Sequence, residues 1–317
     1  MYGENYQVSM GSLCSKCNNL AITYIRYNGT HLCKDHFFQY IMKRVKKELR
    51  KQVTIQKNSV IGIAISGGKD SVVALEIMYE LFHKRKDVKF IGISVDEGIH
   101  GYRDESLPVA KIHCDELGIN HVIVSFKDYI GKTMDKIMKT SNLPFGACTY
   151  CGVFRRYCLN TTAKSLKVTH LVTGHNLDDM AQSIIMNFIN ADMEKLARLG
   201  PHKKIQPGLI PRMIPLRSIP EKENALFAYL KGYQVHDAIC PYSSEASRGY
   251  IKDMVYDLER KNPGTRHSIL KSYDIIRESL IAKFPPAELQ SCLICAEPTM
   301  HNICKTCILK NQISQKS

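Results

Sequence analysis

The sequence predicts an α/β fold with a parallel sheet, because strand patterns and helix patterns alternate from residue 60 onward. An apolar run over 60–65 leads into a tight glycine turn and then into a helical pattern that reaches Leu81. Parallel strands that are joined by helices have their carboxyl ends at one edge of the sheet, where ligands bind in such folds. Further strands are predicted over 88–95, 119–126 and 168–173.

Helical periodicity places further helices between and after these strands. They are expected over 104–117, 129–138, 178–188, 221–229 and 251–283, the last with a break at Pro263-Gly264. A strand-like segment covers 232–235, and a basic, proline-rich stretch over 195–220, with Lys203 and Lys204, is expected to form an ordered loop. Three strand ends therefore come together in this prediction: 66–71, 94–98 and 174–179.

Length and composition allow a buried core and favour a soluble chain. The 317 residues are 44% hydrophobic, and no run reaches the roughly 18 apolar residues of a membrane-spanning helix. The first five residues lack the charged and apolar regions of a signal peptide. We therefore expect a cytoplasmic protein without a membrane partner.

The charge favours a polyanionic partner. Lys and Arg number 44 against 30 Asp and Glu, which gives a net charge of +14. Such a field attracts nucleic acid. A basic helix is predicted over 37–58, with an apolar stripe of Ile41, Val45 and Leu49. A solvated face on a packed helix explains this pattern as well as RNA contact does.

Two groups of four cysteine and histidine ligands predict zinc modules near the ends of the chain. Their close pairs suit tetrahedral coordination, although free thiols or redox pairs are the alternative. A segment this small cannot bury a core of its own, so metal would replace one. The tail over 308–317 is expected to fray. The two groups are Cys14, Cys17, Cys33 and His36, and Cys292, Cys295, Cys304 and Cys307.

The glycine turn between the first strand and helix, Ser66–Ser71, has the composition of a phosphate site. Its glycines let the backbone approach a ligand closely, and the following helix directs N–H groups and its dipole at an anion. Lys69 adds a positive charge. The spacing differs from a Walker A loop, which has four residues between its first glycine and the Gly-Lys pair. The alternative is a glycine turn with polar residues present by chance.

Five cysteines remain outside the zinc groups. Cys114 and Cys158 lie in helical patterns and are expected to be buried as small apolar residues. Cys148 and Cys151 are expected in a loop before a helix that starts near Val153, and Cys240 precedes a proline. These three thiols suit either a redox pair with a resolving cysteine or an iron–sulfur cluster with one iron free of protein ligands. The residues alone leave both open.

The Ser66–Ser71 run resembles the PP-loop of the ATP pyrophosphatases, enzymes that adenylate a carbonyl oxygen and release pyrophosphate. Over nearly its whole length the chain resembles the TtuA/NcsA branch of tRNA 2-thiouridine synthetases, which is more distantly related to the TtcA cytidine-thiolating enzymes. The resemblance rests on the two zinc groups, the PP-loop, the stretch from Cys148 to Arg156, the Gly174–Asp179 run and the lone Cys240.

The resemblance implies a PP-loop core of the adenine nucleotide alpha hydrolase-like type, flanked by N- and C-terminal zinc modules. It implies a 4Fe–4S cluster on Cys148, Cys151 and Cys240, and an acidic catalytic role for Asp179. Arg155 stands where some relatives carry lysine, and since arginine does not deprotonate we expect a phosphate clamp there. The implied ATP-site residues are Ala64, Ser66, Gly67, Gly68, Lys69, Asp70 and Ser71, with Ser94 and Gly174 near the adenosine.

The expected reaction is ATP-dependent 2-thiolation of a tRNA uridine by a tRNA sulfurtransferase. ATP converts the C2 oxygen to an adenylate, with Lys69 and Mg²⁺ stabilising the leaving pyrophosphate. A hydrosulfide ligand on the open iron would then displace AMP at low entropic cost. Asp70 and Asp179 are candidates for holding Mg²⁺ or orienting the base, whereas Asp178 equally suits a helix cap.

Several features of this reaction stay open in the sequence. The Phe-Arg-Arg run after Cys151 favours the wobble uridine over the T-loop uridine. The sulfur donor is either sulfide or a ubiquitin-like thiocarboxylate carrier protein, and a homodimer is possible. Lys16, Lys34 and Lys305 are candidates for salt-sensitive phosphate contacts with tRNA. The alternatives are a cluster-free thiolase that uses a persulfide on Cys148 or Cys240, and a non-catalytic zinc protein that binds RNA.

The patterns divide the chain into four regions. They are an N-terminal zinc module over 1–40, a basic linker helix over 41–58, a catalytic domain over 59–285, and a C-terminal zinc module with its tail over 286–317.

Overall fold

The computed structural model describes residues 11–201, 206–243 and 248–315. Within these ranges the strands are β1 (Thr23–Ile25), β2 (Thr30–Leu32), β3 (Val60–Ala64), β4 (Lys89–Asp96), β5 (Asn120–Ser125), β6 (His170–Val172), β7 (Arg212–Met213), β8 (Gln290–Ser291) and β9 (Pro298–Thr299). The helices are α1 (Lys34–Gln52), α2 (Lys69–Phe82), α3 (Arg103–Glu116), α4 (Phe126–Ile130), α5 (Met134–Met138), α6 (Ala147–Ser165), α7 (Leu177–Ile189), α8 (Met193–Ala197), α9 (Glu221–Lys231), α10 (Arg248–Lys261), α11 (Thr265–Lys283) and α12 (Lys305–Gln315).

The central sheet has the strand order β5-β4-β3-β6-β7, and every pair of neighbours in it is parallel. The chain runs outward from β3 to β5 and then returns to the other side of β3, where β6 begins the second half. The direction of strand order therefore reverses between β3 and β6, which is the switch point where ligands bind in open α/β sheets. The predicted α/β fold class and the meeting of the three strand ends are confirmed.

The core forms where helices cover both faces of this sheet. Ile61 and Ile63 of β3 are fully buried, as are most apolar residues of α2. A strand buried on both faces reads as a continuous apolar run, which is what the sequence has over 60–65. On the other face, Phe126 of α4 and Phe154 of α6 pack edge to face with ring centroids 5.8 Å apart.

The N-terminal segment shares this core. The small sheet of β1 and β2 is antiparallel, and α1 follows it directly after Cys33. Phe37, Ile41 and Val45 of α1 are fully buried and belong to the same apolar cluster as β3 and α2. The predicted basic helix thus begins earlier and ends earlier than the expected 37–58, and the expected boundary between residues 40 and 41 falls inside it.

The prediction that residues 308–317 fray is wrong for the part of this tail that the structure describes, which is helical. Residues up to Gln315 form α12, in which Leu309 and Ile313 are almost fully buried against the cluster around α6. Lys310 Nζ also donates to the Tyr129 carbonyl oxygen at 2.9 Å. The helix begins immediately after Cys304, so the second cysteine group fixes its start, and the apolar spacing of four residues supplies a face for docking. Residues 316–317 lie outside the described ranges.

Three smaller expectations are also corrected. The helix expected over 129–138 is two short helices, α4 and α5, because Gly131 adopts a left-handed φ of 92° and ends the first. The stretch over 195–220 contains part of α8 and the edge strand β7, while Lys203 and Lys204 lie outside the described residues. The strand-like segment 232–235 is not part of any sheet. The break at Pro263-Gly264 separates α10 from α11, as predicted.

None of the helices in the described ranges has the length and apolarity needed to cross a membrane.

Candidate functional site

The loop from Ser66 to Gly68 is folded tightly between β3 and α2. Gly67 has a φ of 82°, and a Cβ atom there would lie 2.1 Å from the Ser106 carbonyl oxygen, so only glycine fits. The Ser71 hydroxyl accepts the Ser66 N–H at 3.1 Å and donates to the Gly68 carbonyl oxygen at 2.8 Å. Gly68 caps α2 without a side-chain hydrogen bond, which leaves N–H groups of the first turn available to an anion.

Lys69 is held at the mouth of this loop by two carboxylates. Its Nζ lies 2.7 Å from Glu221 Oε1 of α9 and 3.2 Å from Asp70 Oδ2. Burial alone would lower the pKa of Lys69, but the charges of Asp70 and Glu221 raise it above its ordinary value. The ammonium group therefore stays charged, as phosphate binding requires. Glu221 was not predicted from the sequence, because the loop and α9 are more than 150 residues apart in the chain.

Asp70 and Asp179 form a pair of neighbouring acids at the switch point. Asp70 Oδ1 accepts from the Asn224 side-chain amide at 3.1 Å. Burial raises the pKa of Asp70, Lys69 lowers it, and the nearby Asp179 charge raises it again. Two carboxylates that repel each other beside a phosphate loop suit a divalent cation, which prefers oxygen ligands.

The two acids of α7 differ in their surroundings. Asp178 Oδ2 accepts the Glu221 N–H at 2.7 Å, and its other oxygen pairs with Arg266, so its contacts are to α9 and α11. Asp179 forms a capping box with Asn176: each side chain accepts the other residue's N–H at 3.1 Å. The capping role considered for Asp178 is thus taken within α7 by Asp179, whereas the Asp178 side chain contacts α9 and α11.

Two residues expected near the adenosine support the backbone around the loop. A Cβ at Gly174 would lie 2.8 Å from the carbonyl group of Asp70, so the chain after β6 packs directly on the first turn of α2. Ser94 is fully buried, and its hydroxyl donates to the Ile65 carbonyl oxygen at 2.6 Å and contacts His121 Nε2 at 2.7 Å. Ala64, the last residue of β3, is partly buried beside them. Contacts of these residues with a nucleotide stay a prediction.

Cys148 and Cys151 lie in the first turns of α6, which corrects the expected loop and the expected helix start near Val153. The helix begins at Ala147 because Gly146 provides an extended cap and Ala147 is buried. Cys148 is exposed, whereas Cys151 and Cys240 are partly buried. The remaining pair outside the metal groups, Cys114 and Cys158, is fully buried as predicted.

Cys240 approaches the other two cysteines from a separate segment. Cys151, Cys240 and Tyr242 pack against one apolar cluster, and the Cys148 thiol lies 3.9 Å from the Tyr242 carbonyl oxygen. The same segment is tied to the phosphate loop, because the His236 N–H donates to the Gly67 carbonyl oxygen at 2.9 Å. Within the described ranges these three sulfur atoms do not gather within 4.8 Å of one another, as a single-ion site would require. A 4Fe–4S cluster on these three cysteines therefore stays a prediction.

Glu97 connects the cysteine helix to the phosphate loop, and sequence reasoning missed it. It follows β4, and its side chain is fully buried. Its carboxylate accepts from Arg103 at 2.7 Å and from Arg155 at 2.6 Å. Arg103 also donates to the Ser66 carbonyl oxygen at 3.3 Å, while Arg155 Nη2 lies 3.0 Å from the Cys151 sulfur.

These contacts make a continuous chain from the loop to the cysteine site. Burial alone would raise the pKa of Glu97, but the charges of Arg155 and Arg103 hold it below its ordinary range. The carboxylate is therefore ionised and fixes both guanidinium groups. The Asp-Glu-Gly run at the end of a predicted strand was the only available signal for this role.

The two terminal groups of ligands are assembled as predicted. In each, one atom from every residue lies within 4.8 Å of the others. His36 Nδ1 lies 3.2 to 3.5 Å from the sulfur atoms of Cys14, Cys17 and Cys33. In the second group, Cys295 and Cys304 sulfurs are 3.6 Å apart, and Cys292 and Cys307 sulfurs are 3.9 Å apart. One histidine and three thiols, or four thiols, at this spacing fit a tetrahedral metal ion.

Two families match the chain. Residues 39–236 match the PP-loop domain, and residues 13–38 match the N-terminal LIM domain of the 2-thiouridine synthetase TtuA. The chain is 37% identical to the tRNA 2-thiolation protein NcsA of Haloferax volcanii, over 95% of this chain and 98% of that protein. The chain belongs to the NcsA family of tRNA 2-thiolation proteins. The resemblance seen in the sequence is confirmed.

Other members of the family match it over most of their length. The chain is 34% identical to the cytoplasmic tRNA 2-thiolation protein 1 of Arabidopsis thaliana, over 98% of this chain and 87% of that protein. Among solved structures, it resembles the U34-tRNA thiolase NcsA of Methanococcus maripaludis, described with its [4Fe-4S] cluster. That match has a TM-score of 0.83 and 32% identity, and covers 96% of this chain and 97% of the other.

Proposed function

We propose that this protein is an ATP-dependent tRNA sulfurtransferase that converts a uridine to 2-thiouridine. The observation that carries the proposal is the chain of contacts from the Ser66 carbonyl through Arg103, Glu97 and Arg155 to Cys151. It joins a phosphate loop to a set of cysteines at one edge of the sheet. A base activated at the loop would therefore lie within reach of the residues that deliver sulfur.

ATP activation is assigned to the loop and its neighbours. The N–H groups at the start of α2 would bind phosphate oxygens, and Lys69 would stabilise the negative charge that develops on the leaving pyrophosphate. Glu221 would keep that ammonium group aimed at the loop until phosphate displaces it. Asp70 and Asp179 would hold Mg²⁺, since a cation between them removes their repulsion and bridges phosphate oxygens.

Cys148, Cys151 and Cys240 would hold a 4Fe–4S cluster, the group with which the Methanococcus maripaludis thiolase is described. When bound, the cluster would supply an iron position without a protein ligand, where sulfur is held for transfer. Arg155 would neutralise the Cys151 thiolate, because its Nη2 lies 3.0 Å from the sulfur. Because Arg155 also pairs with Glu97, its guanidinium would be less available to bind a substrate phosphate. We therefore propose this neutralising role in place of the phosphate clamp expected from the sequence.

The substrate is proposed to be tRNA, and the modified base the wobble uridine, after the U34 in the name of the Methanococcus relative. The two terminal ligand groups would hold zinc and shape surfaces for the RNA. Sulfide or a ubiquitin-like thiocarboxylate carrier protein would provide the sulfur. The protein would act in the cytoplasm, like the Arabidopsis relative whose name places it there. It would act as a homodimer.

The test is purification without oxygen, followed by measurement of iron and of thiolated nucleoside in tRNA. We expect about four irons per chain, and loss of both iron and thiolation in Cys151→Ser. A colourless, iron-free protein with full activity would overturn the cluster. Activity retained by Cys151→Ser but lost in Cys148→Ser would favour a persulfide thiolase. ATP-dependent AMP release on tRNA addition excludes a non-catalytic RNA-binding protein, which would release none.

A further inference from the structure

The surface beside the cysteines carries more positive charge than the structure neutralises. Glu97 accepts both Arg103 and Arg155, so one carboxylate serves two guanidinium groups. Arg156 and Arg212 add two further charges. Among the described residues, neither of these two has an acidic oxygen within 4.0 Å, whereas Arg103, Arg155, Arg217 and Arg266 do.

Arg156 is positioned over the first turns of the cysteine helix. It is exposed and lies one turn after Gly152, the residue that follows Cys151. A Cβ at Gly152 would lie 3.5 Å from Arg156 Nη1 and 3.7 Å from Nη2. The guanidinium therefore folds back toward the start of α6, as long side chains on helices do.

Arg212 reaches the same helix from the edge strand β7. Its Nη2 donates to the Asn160 side-chain oxygen at 3.3 Å, one helical turn beyond Arg156. An amide orients the guanidinium but does not neutralise it. Arg212 is partly buried, so its charge is less screened than that of a surface residue.

The two guanidinium groups repel each other. Burial and then the charge of Arg156 lower the pKa of Arg212 to about 10, and the group remains charged at neutral pH. Two unneutralised arginines on one face of α6, near Gly152 and near Asn160, cost free energy in the free protein. A phosphate group between them would remove this cost and accept paired hydrogen bonds from the planar guanidinium groups.

We propose that Arg156 and Arg212 bind a backbone phosphate of tRNA next to the nucleotide that approaches Cys148 and Cys151. This inference rests on the proposed function, because it takes tRNA as the substrate. RNA is favoured over ATP as the source of the phosphate, since the nucleotide loop has its own cation in Lys69. Glu97 and Arg103 also lie between that loop and α6. The contact would hold the substrate strand beside the sulfur-delivering site without reading its sequence.

The experiment measures tRNA binding without ATP or a sulfur donor, as a function of salt, for the double variant Arg156→Gln/Arg212→Gln. We expect an affinity at least about tenfold weaker. We also expect the slope of log affinity against log salt to become shallower by about 1, because one phosphate contact is lost. ATP affinity and iron content should stay at the wild-type level. The matched control is Arg198→Gln/Arg260→Gln, whose arginines already pair with Glu194 and Asp257.

Three results would overturn the proposal. One is an unchanged tRNA affinity and slope in Arg156→Gln/Arg212→Gln, and another is an equal loss in the control. The third is weakened binding of ATP or pyrophosphate with unchanged tRNA binding, which would assign the phosphate to the nucleotide. The variant Arg156→Lys/Arg212→Lys should retain the salt slope while losing part of the affinity. A protein that binds tRNA as expected but never thiolates it would refute the proposed function and leave this site intact.

Discussion

Replacing Glu97 with glutamine tests the contact chain that joins the phosphate loop to the cysteine helix. The substitution keeps the shape of the side chain but removes its charge. Arg103 is only 5% exposed and would lose its carboxylate partner inside the protein. Removing one partner of a buried ion pair costs about 3–5 kcal/mol, because the remaining charge is left without compensation. We therefore expect Glu97→Gln to lower the free energy of unfolding by about that amount.

The assay is urea unfolding of the wild type and of Glu97→Gln, monitored by fluorescence and by circular dichroism. Asp115→Asn is the control, because Asp115 forms an ion pair with Lys111 whose side chains are 58% and 61% exposed. An exposed pair of this kind contributes about 0–1 kcal/mol. The loss of unfolding free energy in Arg155→Ala should lie between the losses in Glu97→Gln and Asp115→Asn, because Arg103 still neutralises Glu97.

The pH dependence has a definite sign. The folded protein holds the pKa of Glu97 below its unfolded value, so its stabilisation is present above the unfolded pKa and is lost as pH falls through the folded one. The difference between wild type and Glu97→Gln should be constant between about pH 6 and 8 and shrink below about pH 4. A Glu97→Gln loss no larger than that of Asp115→Asn would refute the reasoning.

Three further predictions concern the elements around the site. His113 Nδ1 lies 2.9 Å from a carboxylate oxygen of Glu76, and its Nε2 lies 2.7 Å from the Gln234 carbonyl oxygen. Both contacts favour the protonated ring, so they raise the pKa of His113 although burial alone would lower it. Glu76→Gln should thus lower the free energy of unfolding by about 1.5–3 kcal/mol below about pH 6.5. This loss should disappear as pH rises through the raised pKa of His113. A loss that does not depend on pH in urea titrations would contradict the prediction. Leu309→Ala should lower the free energy of unfolding by about 2–5 kcal/mol because Leu309 is fully buried. The control Leu293→Ala, at a side chain 79% exposed, should be nearly neutral. Equal urea midpoints for the two variants would disprove the docking of α12. Cys304→Ser should release bound metal and raise amide exchange throughout α12, measured by mass spectrometry, while unchanged exchange would show that the helix does not depend on the metal group.

Most of the fold was predictable from the sequence because its signals are local. The apolar run over 60–65, the glycine turn and the helix pattern after it each follow from a few neighbouring residues. The close pairs of cysteines likewise predict their own assembly. The three strand ends meet because alternating strands and helices give a parallel sheet.

The missed features depend on contacts between distant segments. Glu221 contacts Lys69 from 152 positions away. Four elements, α3, β5, α4 and α5, separate Glu97 from the helix that carries Arg155. Neither pairing therefore has a local signal in the sequence. The tail was misjudged because its helix is stabilised by burial of Leu309 and Ile313, which composition near a chain end does not reveal. The start of α6 differs from the predicted one because Cys148 and Cys151, after the extended cap at Gly146, belong to the first turns of the helix, and a glycine before two cysteines is also typical of a loop.

The most direct test of the proposed function is a thiolation assay with the purified protein, kept free of oxygen and supplied with tRNA, ATP, Mg²⁺ and sulfide. Nucleosides from the digested tRNA are then identified by mass spectrometry. We predict 2-thiouridine that depends on ATP and is lost in Lys69→Met and Cys151→Ser, with AMP released in equal amount. Absence of 2-thiouridine from a protein that binds tRNA, ATP and iron would contradict the account.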